Sequence, residues 1–118
     1  MGATFDEIQR EAVLFRDARE WAQFHKPKDL ALGLGIEAGE LGELFLWLTD
    51  GEIDRSLADP AFRQRLAEEL GDVQLFLLYL AEATGIDLAQ AARDKLRLND
   101  EKYPVAKAKG SAKKYDQL

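Results

Sequence analysis

Between Leu30 and Leu48 the only charged side chains are Glu37, Glu40 and Glu43, and apolar residues occupy nearly every direction around a helix. A helix that is apolar all round is a buried one, so the chain is expected to fold around this segment. The same stretch holds Gly33, Gly35, Gly39 and Gly42. Each is disfavoured in a helix by about 1 kcal/mol relative to alanine, a cost that tertiary contacts must offset. Gly35, Gly39 and Gly42 fall on one narrow stripe opposite Glu37 and Glu40. The stripe predicts close approach of another helix behind the acidic face, simple tolerance of glycine being the plainer alternative.

The rest of the chain also reads as helix. Thr4-Phe-Asp-Glu7 resembles a capping box, after which Phe5, Ile8, Ala12 and Phe15 follow helical spacing towards Phe24. A second helix is predicted from Asp29 as N-cap to about Thr49, ending at Asp50-Gly51, with a short acidic link to Ala58 that holds at most a turn. Asp59-Pro60 caps and opens a third helix reaching Thr84 and stopping at Gly85. Asp87 caps a fourth, ending near Tyr103 ahead of Pro104. No strand pattern or repeat interrupts this order. The expected architecture is an all-α, four-helix-type bundle over residues 1–104, with a polar, lysine-rich tail over 105–118 that forms little core by itself.

Two carboxylate pairs give this bundle its chemistry. Glu37 and Glu40 lie three apart on the apolar helix, and Glu69 and Asp72 lie three apart on the next long one. Such spacing projects both acids of a pair from one face, and two packed helices would gather four. A solvated face is the ordinary meaning of acids at this spacing. For Glu37 and Glu40 it is weakened by Ile36, Leu41 and Leu44, because an ionised carboxylate buried without a partner costs several kcal/mol. For Glu69 and Asp72 it is stronger, since Arg63, Arg65 and Glu68 mark a solvated helix entrance. Even so, no charge occurs from Val73 to Ala81, and Phe76 continues the face of Glu69 and Asp72. Glu43 is either a third ligand on the first helix or exposed. With His25 the only histidine, such a site is mostly oxygen, which favours Mg²⁺, with Mn²⁺ as a substitute, over iron or zinc. Magnesium commonly binds substrate phosphates as well, making a phosphoryl compound the leading substrate class.

Composition narrows the classes further. There are no cysteines, which excludes disulfides, thiolate metal sites and cysteine nucleophiles. The net charge of −6 argues against a nucleic-acid polymer as partner, since phosphate affinity needs a basic face. A metal-bridged nucleotide remains compatible. The polar N-terminus and the lack of a long uncharged run predict a cytoplasmic protein with no membrane partner. On the fourth helix Lys95, Asn99 and Lys102 recur at i, i+4 and i+7 beside Tyr103, either as an ordinary surface stripe or as donors to phosphate oxygens. Trp21, Trp47 and Phe76 are most simply core, and His25 structural, although base stacking is the use a nucleotide enzyme would have for them.

Taken together, Glu37-x-x-Glu40 and Glu69-x-x-Asp72 resemble the motif of the all-α nucleoside triphosphate pyrophosphohydrolases of MazG type. The likeness extends to their dCTP pyrophosphatase branch through Arg19-Glu-Trp-Ala-Gln-Phe-His25, Gly39-Glu-Leu-Gly-Glu-Leu-Phe45, Trp47 with Thr49-Asp-Gly-Glu52, Lys95 with Asn99, Tyr103-Pro104 and Lys114-Tyr115. The resemblance implies Mg²⁺-dependent cleavage of a (deoxy)nucleoside triphosphate to monophosphate and pyrophosphate. It matches Glu37, Glu40, Glu69 and Asp72 to metal ligands, and Lys95, Asn99, Lys102 and Tyr103 to the phosphates. It matches Trp21, His25 and Trp47 to the base and sugar pocket, with Phe76 standing where the branch has a tyrosine. Ala12 stands where the branch has a histidine, so the resemblance carries least for the choice of base. Glu40 or Glu43 is the expected proton acceptor. The family's habit of forming dimers or dimers of dimers implies a homodimer or homotetramer with a shared cleft. The competing expectations are a non-catalytic nucleotide sensor and a helical protein-interaction module.

Overall fold

The structure, a computed structural model, describes residues 2–118. Among the described residues it contains helices and turns and no strand. The helices are α1 (Phe5–Ala18), α2 (Pro27–Glu43), α3 (Asp50–Leu57), α4 (Pro60–Thr84), α5 (Leu88–Lys102) and the single turn α6 (Val105–Ala108). They divide into two compact units, one reaching Gly85 and the other Ile86–Leu118.

In the first unit α4 is the common partner of α1, α2 and α3. Its start is fixed by Asp59, whose side chain accepts from the Ala61 N–H, and by Pro60 at the first helical position. Its end is fixed by Gly85, which adopts the left-handed conformation (φ 70°) that glycine enters without steric cost. Leu78 on α4, 1% exposed, is the most buried of the apolar side chains, with Ala12, Leu30, Phe62 and Ala81 the other buried ones. Two side chains also bind α1 to α4 through backbone carbonyls. Gln9 Nε2 donates to the Leu78 carbonyl at 2.9 Å, and the Tyr79 hydroxyl donates to the Ala12 carbonyl at 2.8 Å. Arg16, buried in the same seam, pairs with Asp17 and Glu82, each at 2.9 Å.

Several boundaries differ from the sequence reading. α1 stops at Ala18 because Glu20 turns left-handed (φ 54°), and the chain re-forms a single 3₁₀ turn at Ala22–Phe24. α2 begins at Pro27 rather than after Asp29; proline's fixed φ suits the first helical position. It ends at Glu43, six residues early, in a run of turns that leads to Trp47 at φ 70°. The supposed acidic link is the two-turn helix α3, capped by the Thr49 hydroxyl accepting from the Glu52 N–H at 3.2 Å.

The glycines of α2 also behave differently from expectation. A Cβ at Gly35, Gly39 or Gly42 would meet nothing of this chain within 4 Å. The close approach falls instead at Gly33, where a Cβ would run into the ring of Phe76 on α4. Gly33→Ala is therefore expected to lower the melting temperature. Overpacking costs about 1–3 kcal/mol, which exceeds the gain of at most about 1 kcal/mol in helix propensity. A rise in melting temperature would mean that the Phe76 ring moves aside freely. The outward face of α2 leaves Leu32 62% and Ile36 64% exposed beside Gly35 and Gly39.

In the second unit Asp87 caps α5 by accepting from the Gln90 N–H at 3.0 Å, and the helix ends ahead of Pro104 as expected. The tail is tied back to it. Tyr115 sits edge-on to Tyr103 at 6.2 Å, and Lys102 Nζ lies 5.1 Å from the centre of the Tyr115 ring.

Candidate metal centre and adjoining pocket

α2 and α4 bring Glu37, Glu40 and Glu69 together, each offering a carboxylate oxygen within 4.8 Å of the others'. One oxygen of Glu37 (Oε2) and one of Glu69 (Oε2) are buried with no hydrogen-bond partner. Burial pushes the Glu37 carboxyl above the usual carboxylate range, reinforced by Glu40 and by the charges of Asp72 and Glu69. Burial likewise raises Glu69, with further contributions from Glu40, Asp72, Glu68 and Glu43. Buried oxygens without donors and acids that resist ionisation side by side are the mark of a site that lacks positive charge. A hard divalent cation fits the donor set, which is all oxygen, and would satisfy both orphaned atoms.

The sign of the pH dependence follows. Both carboxyls hold protons more tightly in the folded chain than in the unfolded one. Their contribution to stability is thus fully present below the ordinary carboxylate range and is lost as pH rises through the raised folded values. In EDTA the melting temperature should fall from weakly acidic pH towards neutrality through these groups, and Mg²⁺ should restore it at neutral pH. A melting curve indifferent to Mg²⁺ at pH 7 would argue against a cation site.

Asp72 is exposed and does not join the three clustered acids. It lines a neighbouring cavity of about 380 Å³, within the range of about 300–1,000 Å³ usual for small-molecule sites. Two helix faces build the walls, each with the spacing i, i+3, i+4, i+7: Ile8, Glu11, Ala12 and Phe15 on α1, and Asp72, Leu75, Phe76 and Tyr79 on α4. The α1–α2 connection supplies Trp21 and His25. The left-handed turn at Glu20 lets Trp21 fold back edge-on to Phe15 at 5.9 Å, and His25 stands edge-on to Tyr79 at 4.5 Å. Burial, followed by the positive charge of Arg16, lowers the pKa of His25, so the imidazole is neutral at physiological pH. Its Nδ1 is buried without a partner.

Of the expected base-binding residues, Trp21, His25 and Phe76 meet in this cavity. Trp47 does not line it and is 89% exposed. Glu43 is exposed on α2 outside the clustered three. Lys95, Asn99 and Lys102 follow one another along α5 in the second unit, with Tyr103 as its C-cap. Glu11 and Tyr79 belong to no sequence motif named above, although helical register places them with Phe15 and Phe76.

The chain is also similar to known proteins. Residues 33–118 match the MazG-like family. The human protein dCTP pyrophosphatase 1 is 42% identical over 98% of this chain and 68% of its own length, and the mouse protein of the same name is 43% identical over the same shares. The crystal structure of a pyrophosphatase from Archaeoglobus fulgidus superposes with a TM-score of 0.80 at 32% identity, covering 88% of this chain and 95% of that one. On the strength of the family match and these relatives, the chain belongs to the MazG-like family.

Proposed function

We propose that this MazG-like hydrolase cleaves a deoxynucleoside triphosphate, dCTP or a close relative, between the α- and β-phosphates to give a monophosphate and pyrophosphate. The observation that carries the reading is the junction at Asp72, where an acid cluster short of positive charge adjoins an aromatic-walled pocket. Phosphates and base of one nucleotide need those two environments side by side. The dCTP pyrophosphatase 1 relatives favour the same substrate.

Glu37, Glu40 and Glu69, with Asp72, would hold Mg²⁺ or its substitute Mn²⁺, which supplies Lewis-acid polarisation of the phosphoryl oxygens and neutralises charge on the leaving pyrophosphate. Trp21, His25 and Phe76 would wall the base with aromatic surface. Glu40 is exposed at the edge of the cluster, where one carboxylate oxygen can accept the proton of the attacking water; Glu43, further out, is the second choice. Lys95, Asn99, Lys102 and Tyr103 are assigned to the phosphate oxygens, and Trp47 to a cleft completed by a neighbouring subunit.

The exposed α2 face supports a homodimer or homotetramer, because soluble monomers avoid contiguous apolar patches of this kind. Light scattering at micromolar concentration should give a dimer or tetramer mass; a monomer would remove the shared cleft. Among the described residues no single helix is long and apolar enough to cross a membrane, and a role in cytoplasmic nucleotide-pool control is the setting this chemistry fits. The decisive assay incubates the protein with a panel of nucleoside triphosphates and Mg²⁺ and resolves the products. Monophosphate with pyrophosphate, lost in EDTA, is expected; release of orthophosphate, or no product, would refute the reaction.

A further inference from the structure

The polar groups of the pocket are unevenly divided between donors and acceptors. On α1, Glu11 is the one charged member of a face otherwise made of Ile8, Ala12 and Phe15. An ionised carboxylate only accepts hydrogen bonds. Tyr79 has spent its single proton on the Ala12 carbonyl, so towards the cavity its oxygen also accepts. Ala12 and Phe76 offer no side-chain polar atom. Among the described residues Glu11 makes no hydrogen bond or ion pair, while Arg16 is committed to Asp17 and Glu82, and Arg19 to the Phe15 carbonyl. The donors lining the cavity are the indole N–H of Trp21 and the one N–H of the neutral His25 ring.

We propose that Glu11 is a specificity-determining residue, accepting an N–H from the exocyclic amino group of the base, so that the site favours cytosine and adenine over thymine and uracil. The inference rests on the reading of the chain as a nucleoside triphosphate pyrophosphohydrolase and adds the chemical class of base that it selects. Cytosine and adenine each present an amino donor beside a ring-nitrogen acceptor, which the Glu11 carboxylate and an N–H of Trp21 or His25 complement. Thymine and uracil put a carbonyl oxygen where the amine would be, leaving two acceptors face to face with no proton between them. Because Glu11 is exposed, water softens that mismatch. A hydrogen bond to a charged group corresponds to roughly a tenfold preference under these conditions.

The test compares kcat/KM for dCTP, dATP, dTTP and dUTP in the wild type, Glu11→Gln and Glu11→Leu. The position is exposed, so both variants should fold, which circular dichroism verifies. The wild type should prefer the amino-bearing pair. Glu11→Gln keeps the length of the side chain but adds an N–H that can serve a carbonyl, and should narrow the preference about tenfold, mainly through KM. Glu11→Leu should narrow it by weakening dCTP and dATP alone. An active wild type whose base preference is unchanged in both variants would overturn the role of Glu11 and leave the hydrolase reading standing. A wild type inactive on every nucleotide would overturn that reading and the inference with it.

Discussion

Glu69→Gln is expected to lower turnover by on the order of 10²–10³-fold, the usual loss when one electrostatic contact to the reacting group is removed, while the metal-free protein melts no lower than the wild type. The two effects have one cause. Glu69 brings a buried carboxylate oxygen without a partner into a cluster that already holds Glu37 and Glu40. Removing its charge relieves repulsion in the metal-free state, and the new amide can donate to a neighbouring carboxylate. Under the proposed function the same change would take a ligand from the cation and weaken its hold on the phosphates. Thermal melting in EDTA, set beside product formation in Mg²⁺, checks both halves. A variant that both unfolds and loses activity would make Glu69 a structural residue instead.

Leu78→Ala is the substitution with the largest expected cost to the fold, about 2–5 kcal/mol. Leu78 is the largest fully buried side chain and sits on α4, which packs against α1, α2 and α3. Natural domains are stable by only about 5–15 kcal/mol, so such a loss takes a large share of the total. Denaturant titration should show the midpoint falling sharply, whereas Leu78→Met, which nearly conserves volume, should cost less than about 1.5 kcal/mol. Equal behaviour of the two variants would mean that the α1–α4 seam closes over the cavity without penalty.

What could be read from sequence was what local chemistry decides. Thr4, Asp59, Gly85 and Asp87 each terminate a helix as expected, because a capping hydrogen bond or a left-handed glycine needs only its immediate neighbours. The early end of α2 was not legible, since apolar residues continue through Trp47 and nothing local announces the left-handed turn there. α3 was legible as more than the single turn allowed for it: Thr49-x-x-Glu52 is a capping-box pattern, and Ile53 and Leu57 repeat at i, i+4 behind it. The acids could be identified by their apolar surroundings, and the structure joins Glu37, Glu40 and Glu69. Of the pocket, Trp21, His25 and Phe76 were reached only through the family resemblance, and its α1 wall was not, because the cavity exists only where the Ile8–Phe15 face of α1 meets the Asp72–Tyr79 face of α4. Hence Glu11 looked like any exposed acid until the opposite wall was in place.

α4 carries both Glu69 and Phe76. Seven residues of helix separate them by about 10 Å along the axis, so under the proposed function the gap between phosphates and base would be set by a rigid rod, with no loop able to stretch. Selection by substrate length would thereby be built into a single element. Inserting one residue between Glu69 and Phe76 would lengthen that gap by only about 1.5 Å but swing the acids about 100° away from the pocket. An insertion in this stretch of α4 should therefore be more damaging than one of the same length in the connections between helices.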